Sequence, residues 1–338
     1  MNTLKKCTIQ KGTHPLPSVE NIAFTKHAIE HLSYTTEKDL VFIVTCGGGS
    51  VLFEAPNSLT LDEITAVNKA LLKSGANITE MNAVRKHLSR VKGGGLAKIL
   101  YPATVINLIF SDVPGNDLSV IASGPLVKDH STLDDVKNII KKYSLSSMVK
   151  LPNNAFSETP TDEKYFKNVH NILLLSNHTA LTAMEKVARE KNIKSHVMTD
   201  RLQGDAKTLG ATLIKETVPG HLLFAGGEST IKVTGNGKGG RNQALVLSAL
   251  SYINKELGNK NTGNIVLASI GSDGWDFYEL AGAIADKETI KKIEELDIQT
   301  EDFINDDNSY EFWMKTGDGI DTGHLDSNVS DLYIVYKP

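Results

Sequence analysis

Arginine, lysine, amide and aspartate side chains recur beside glycine-rich stretches in this sequence, a combination suited to a small anion. Arg241-Asn242-Gln243 follows Gly239-Gly240 at the start of a predicted helix. A helix N-terminus offers free N–H groups and a dipole to an anion. Arg241 is therefore the best single candidate for gripping a phosphate, since a guanidinium can bind two oxygens at once. Asn82, Arg85, Lys86 and Ser89 share one side of another predicted helix, opposite Met81, Val84, Leu88 and Val91, and lead into Lys92-Gly-Gly-Gly95. An amide, a guanidinium and an ammonium on one stripe suit carboxylate or phosphate oxygens, although a solvated polar face has the same pattern. The loop Cys46-Gly47-Gly48-Gly49-Ser50 ends a predicted strand, where α/β proteins bind ligands and where glycine lets backbone N–H groups approach. It lacks the P-loop spacing and reads equally as a plain turn.

Two aspartates also follow predicted strands. Asp112 opens Asp-Val-Pro-Gly115, and Asp273 lies in Gly271-Ser-Asp-Gly-Trp-Asp276, positions fit for a general base or a metal ligand. A turn-forming aspartate before Pro-Gly is the plainer alternative. Gly226-Gly-Glu228 ends another strand, and Thr322 to Asn328 precede the last one. Gly235-Asn-Gly-Lys-Gly-Gly240 fits G-x-G-x-x-G, but the segment before it alternates apolar and polar residues and no acidic partner stands in a second-strand context. The dinucleotide reading is rejected on that ground. The ten histidines show no metal-ligand spacing, and lone ones such as His178 read as surface or cap residues.

The elements that must hold these loops alternate in the α/β manner. Strands are expected at Leu40–Thr45, Thr104–Phe110, Asn171–Leu175, Ser195–Met198, His221–Ala225, Thr230–Val233, Asn264–Ile270 and Leu332–Tyr336. Thr60 to Glu63 form a capping box for a helix that Gly75 ends. Thr79 is expected to cap the helix that runs to about Val91, Asn177 or His178 to start one lasting to Lys191, and Asn242 to start one through Ile253. Asp307 should cap a short helix ending near Gly317, and the polar stretch 129–168 reads as a linker. The fold class is α/β: two α/β/α domains, one Rossmann-like with a mainly parallel sheet and one with a mixed sheet, spanning 1–150 and 165–338. The turn-rich Gly12 to Pro17 comes with no element ahead of it, as if the sequence began inside a domain.

The bulk properties narrow the class. The 338 residues carry a formal net charge of -4, with 40% hydrophobic and 22% charged residues. That argues against nucleic acid as a partner, which calls for concentrated positive charge. Lys5-Lys6 lacks a following apolar region, and no apolar run approaches a membrane span. Two cysteines, Cys7 and Cys46, are too few for a disulfide framework, so a cytoplasmic location is expected.

Taken in order, the loops resemble the glycerate 2-kinase family, with its MOFRL domain and associated amino-terminal region. The matching stretches are Cys46-Gly-Gly-Gly-Ser50, Glu80 to Ser89 with Lys92-Gly-Gly94, Ser111-Asp-Val-Pro-Gly115, Ala122-Ser-Gly-Pro125, Gly226-Gly-Glu228, Gly239-Gly-Arg-Asn-Gln243, Gly271-Ser-Asp-Gly274, Ala281-Gly-Ala283, Thr322-Gly323 and Asn328-Val329. The resemblance implies ATP- and Mg²⁺-dependent phosphorylation of D-glycerate at its 2-hydroxyl, at a site between two domains. It implies catalytic roles for Arg241, Asp112 and Asp273, with the two aspartates as candidate Mg²⁺ ligands. It implies substrate or nucleotide binding by Gly47, Gly48, Gly49, Ser50, Asn82, Arg85, Lys86, Lys92, Glu228, Asn242, Gln243 and Asn328, with Arg85 and Lys86 on the glycerate carboxylate. Family members begin with roughly a hundred further residues, a lysine of a Gly-Lys-Ala stretch among them, which this sequence lacks. A separate polypeptide supplying that region, a catalytically impaired binding protein, and a homo-oligomer are the expectations this raises. A hydroxypyruvate reductase is the remaining alternative. Phe277-Tyr278 and His324-Leu-Asp326 also depart from the family's usual Gly-Pro and Pro-Thr-Gly.

Overall fold

The computed structural model describes residues 7–152, 154–257 and 264–338. The chain divides into two compact units, residues 1–110 with 117–174, and residues 111–116 with 175–338. Both are α/β, as the alternation of elements predicts.

The first unit runs α1 (Val19–Leu32), β1 (Leu40–Thr45), α2 (Gly49–Leu52), α3 (Leu61–Ser74), α4 (Ile78–His87), α5 (Gly95–Leu100), β2 (Thr104–Phe110), α6 (Leu133–Lys142), α7 (Leu145–Met148) and β3 (Val169–Leu175). The sheet order is β1-β2-β3, and β1 and β2 are parallel from Leu40 opposite Thr104 to Thr45 opposite Ile109. One sheet face is covered by Leu96, Ala97 and Leu100 of α5, against Val41, Ile43 and Val105. Leu40, Phe42 and Val44 of β1 and Ile172 and Leu174 of β3 are exposed. Thr60 and Glu63 form the expected capping box, and Gly75 closes α3 at φ +76°. Asn77, not Thr79, caps α4: its side chain accepts from the Glu80 N–H and the Glu80 carboxylate accepts from the Asn77 N–H.

The stretch 129–168 is not a linker. It forms α6 and α7, and Val136, Leu145 and Ala155 join Ile64, Leu71, Val84 and Leu88 in one core. Burying Val136 and Leu145 contributes about 1.5–3 kcal/mol each, which with Ala155 outweighs the polar composition that suggested a connection.

The second unit runs α8 (Asn177–Glu190), β4 (Ser195–Leu202), α9 (Ala206–Glu216), β5 (His221–Gly227), α10 (Arg241–Tyr252), β6 (Val266–Gly271), β7 (Gly282–Ala285), α11 (Lys287–Glu295), α12 (Thr300–Asn305), α13 (Ser309–Thr316), β8 (Gly319–Ile320) and β9 (Asp331–Lys337). The mixed sheet has the order β4-β5-β9-β6-β7-β8, with β4 and β5 parallel and β9 antiparallel to both β5 and β6. The core gathers α9 and α10 over it, with Phe312, Trp313, Tyr333 and Val335 fully buried.

No strand forms at 230–233; Thr230 makes only an isolated bridge with Asp205. The segment that follows, 234–238, is held by the loop 306–308. Thr234 N–H and Gly235 N–H donate to the Asp307 carboxylate, Asn236 N–H to Asp306 Oδ1, Gly237 N–H to the Asp306 carbonyl and Lys238 N–H to Asn308 Oδ1. Backbone lies on backbone here: a Cβ on Gly235 would stand 2.2 Å from the Asp306 carbonyl oxygen. The glycine spacing of 235–240 thus serves internal packing. Asn308, one residue past the expected Asp307, stands at the N-cap position of α13 without a side-chain cap bond.

Candidate active site

Four carboxylates and one guanidinium meet in the second unit. Asp112 follows β2, Glu228 follows β5, Asp273 follows β6 and Asp331 opens β9, while Arg241 is the first residue of α10; together they line one small recess with Trp275 and Asn328. The sheet order explains the meeting, because β5, β9 and β6 are neighbours and their ends lie side by side.

Arg241 is held from two sides. Its Nε donates to Asp331 Oδ2 at 2.7 Å and its Nη2 to Asp331 Oδ1 at 3.1 Å, while Nη1 donates to Glu228 Oε1 at 2.8 Å. Burial works against its charge, but the bonds to Asp331 and the fields of Asp331, Glu228 and Asp276 outweigh burial and raise its pKa further. Burial holds the Glu228 carboxyl above its usual range; Arg241 opposes this, and the nearby Asp331 and Asp112 add to it. Asp273 Oδ1 accepts from the Trp275 N–H at 3.0 Å, which keeps its loop tight at the recess.

The helix terminus itself is occupied by the protein. The N–H groups of Asn242 and Gln243 donate to the two oxygens of Asp276, at 3.1 and 2.9 Å. Asn242 and Gln243 are fully buried, and the Gln243 side chain donates to the Asp276 carbonyl. Asn242 Nδ2 bridges Asp276 Oδ1 and Asp331 Oδ1, at 3.1 and 3.0 Å. These two amides therefore act on Arg241's surroundings from inside the fold. Asn328 reaches the recess, with its Oδ1 accepting from Ser330 N–H.

In the first unit, the triple-glycine loop borders a cavity of about 380 Å³ at the end of β1, lined by Thr45, Cys46, Gly47, Gly49, Lys92 and Ala122. Gly48 sits at φ +76°, and Ser50 shares a 2.9 Å hydrogen bond with Ser123. The polar stripe of α4 turns inward. Lys86 pairs with buried Asp129 at 3.0 Å, Lys92 with buried Glu54, and Arg85 Nε donates to Asn68 Oδ1 at 2.9 Å. Burial lowers the Arg85 pKa, with the field of Glu54 opposing. Asn82 is buried beside them. A solvated face is thereby ruled out, and the ammonium groups of Lys86 and Lys92 are already neutralised from within.

Asp331 was not singled out by its sequence, although it is the centre of the carboxylate cluster. Its one signal is an acidic residue directly ahead of the apolar run Leu332 to Val335. Among the described residues, no group of three histidine, cysteine, aspartate or glutamate side chains forms a cation cage.

Residues 1–156 match the family described as a domain of unknown function (DUF4147), and residues 221–331 match the MOFRL family. A glycerate 2-kinase of Pyrococcus horikoshii is 36% identical over 98% of this chain and 78% of its own length. A crystal structure of glycerate kinase from Thermotoga maritima superposes with a TM-score of 0.90 at 34% identity, covering 100% of this chain and 82% of the other. A protein of Agrobacterium vitis named putative hydroxypyruvate reductase is 32% identical over 96% of this chain and 76% of its own. The order of loops, the two sheets and these likenesses agree: the chain belongs to the glycerate 2-kinase family.

Proposed function

We propose that this chain transfers the γ-phosphoryl group of ATP to the 2-hydroxyl of D-glycerate. The observation that carries the reading is the Arg241 guanidinium, fixed by Asp331 and 29% exposed, beside Asp112 and Asp273 in one recess. Phosphoryl transfer depends on positioning and on neutralising charge spread over the transferred oxygens. A preorganised guanidinium supplies that neutralisation without reorganising during the step.

Mg²⁺ fits this donor set. It is bound through one or two carboxylates together with phosphate oxygens and water, so the lack of a three-residue cage is no obstacle. One of Asp112 and Asp273 would hold it, both lining the recess beside Arg241. Bound there, it would neutralise phosphate charge. Whichever of the two aspartates does not hold the cation orients the attacking hydroxyl. Gly47, Gly49 and Lys92 in the lining of the first unit's cavity, with Gly48 and Ser50 of the same loop, are assigned to ligand binding.

The test is ADP release from ATP, Mg²⁺ and D-glycerate by this chain alone, with ³¹P NMR to assign the phosphorylated position. Turnover giving the 2-phosphate supports the reading. Ligand binding without turnover, or turnover restored only by a second polypeptide, marks a binding protein or a split enzyme. Oxidation of NADH by hydroxypyruvate would support a reductase, but the backbone N–H groups of 234–238 that a dinucleotide would need are spent on Asp306–Asn308. The reading places the chain in the cytoplasm; among the described residues no helix is long and apolar enough to cross a membrane.

A further inference from the structure

We propose that Asp276 is a positioning residue for this reaction: it caps α10 from another loop and, through Asn242 and Asp331, fixes the guanidinium of Arg241. The inference deepens the function proposed above, because it rests on Arg241 facing the transferred group.

The usual N-cap side chain is missing. Position 240 is glycine, with extended backbone and no side-chain cap. A helix start without a cap leaves backbone donors unsatisfied. Here the cap comes from a residue 36 positions away in sequence, Asp276, which is 4% exposed. Its carboxylate accepts from Asn242 N–H, Asn242 Nδ2 and Gln243 N–H, at 3.1, 3.1 and 2.9 Å. Glycine at 240 is what admits it: a Cβ there would lie 2.0 Å from the Asp276 carbonyl oxygen and 2.4 Å from its carboxylate.

The chain of contacts then continues outward. Asn242 Nδ2 donates to Asp331 Oδ1 as well, and its Oδ1 accepts from Ser269 Oγ, so this side chain has no freedom to rotate. Asp331 in turn takes both donors of the Arg241 fork and the hydroxyl of Tyr333. Two buried side chains, Asn242 and Asp331, thus connect one carboxylate to one guanidinium. A merely structural cap would need only the two backbone bonds. The third bond, to Asn242 Nδ2, aims the amide that supports Asp331.

The charged groups facing Asp276 are Asp331 of β9 and Arg241 of α10. Burial raises the Asp276 pKa to about 7, the donors of Gln243 and Asn242 oppose it, and the field of Asp331 adds to it. The charged form is the one that accepts all three bonds. As pH falls through about 7 the carboxyl takes a proton, the bonds weaken, and Arg241 loses its support.

Asp276→Asn and Asn242→Ala test this. The second variant leaves the backbone cap in place and removes the bridge together with the Ser269 bond, so it serves if the first fails to fold. Both should lower kcat by about 10- to 100-fold with KM changed by less than about three-fold, the size expected when a charge-stabilising group shifts by a fraction of an ångström. The wild-type fall in kcat below pH 7 should vanish in Asp276→Asn. The ¹⁵N–¹H signal of Arg241 Nε should move in both variants, and this reads positioning without turnover, so it decides the matter even if no kinase activity is found. Folded variants with kcat within two-fold of wild type, or an unmoved Arg241 Nε signal, overturn the proposal.

Discussion

Arg241 and Asp331 form a two-bond fork, Nε to Oδ2 and Nη2 to Oδ1, with Asp331 only 2% exposed and Arg241 open to the recess on its remaining side. The Nε–Nη2 edge is held by Asp331 and Nη1 by Glu228, which together fix the guanidinium's orientation. What remains is a cation with a fixed aim, and the predictions about activity start there.

Arg241→Lys should retain the charge and lose the fork, because an ammonium is a point donor that cannot span both oxygens. Arg241→Ala should lose both. We expect kcat to fall by about 10²–10³-fold in the alanine variant, the size seen when one preorganised donor to a developing charge is removed, and the lysine variant to recover only a small part of it. Steady-state ADP release with D-glycerate checks this. A lysine variant within a few-fold of wild type would mean that charge alone suffices and the fork is irrelevant.

Much of this site was legible in the sequence, and the remainder was hidden for definable reasons. Arg241, Glu228, Asp112 and Asp273 each follow a strand or open a helix, and strand ends in an α/β sheet converge. The roles of Asn242 and Gln243 were not legible. A helix N-terminus looks like an anion site from its own residues, and only the fold shows that Asp276 already sits there. The stripe Asn82, Arg85, Lys86 similarly reads as exposed or ligand-facing, because its partners Asp129 and Asn68 are distant in sequence. The short strands β7 and β8 carry too few residues to show a period, and the segment 230–233 shows one without having a partner strand.

Lys92 and Glu54 make a second test, one that separates stability from binding. Both are 4% exposed, and Glu54 Oε1 lacks a hydrogen-bond partner within the protein. Removing one member, as in Glu54→Gln or Lys92→Met, strands the other charge in the interior and should cost about 3–5 kcal/mol in urea unfolding. The double variant Glu54→Leu/Lys92→Met should regain most of that, since an apolar pair of similar volume is often neutral or better. If Lys92 also touches a ligand in the cavity it lines, the double variant will be stable and slow. A double variant as unstable as the singles would show that the pair is worth more than its burial costs.

Asp307 fixes the approach of the glycine segment to α13, and it makes that approach sensitive to acid. Its carboxylate accepts from Thr234 N–H at 2.6 Å and Gly235 N–H at 2.8 Å, with the Lys207 ammonium beside it. Burial by itself would raise its pKa, but Lys207 and the two N–H donors together bring it down to about 2 from the ordinary 3.8. A carboxyl held below its unfolded value stabilises the fold fully above that value and loses the contribution as pH falls through the lower one. The window is therefore pH 4 down to 2. A depression of this size corresponds to about 2 kcal/mol at neutral pH. Asp307→Asn should accordingly unfold about 2 kcal/mol more easily than wild type at pH 7, and the gap should close toward zero near pH 2. Urea melts at both pH values measure it. A gap that stays constant with pH would assign the loss to packing alone, and the ionised carboxylate would then have no part in holding Thr234 and Gly235.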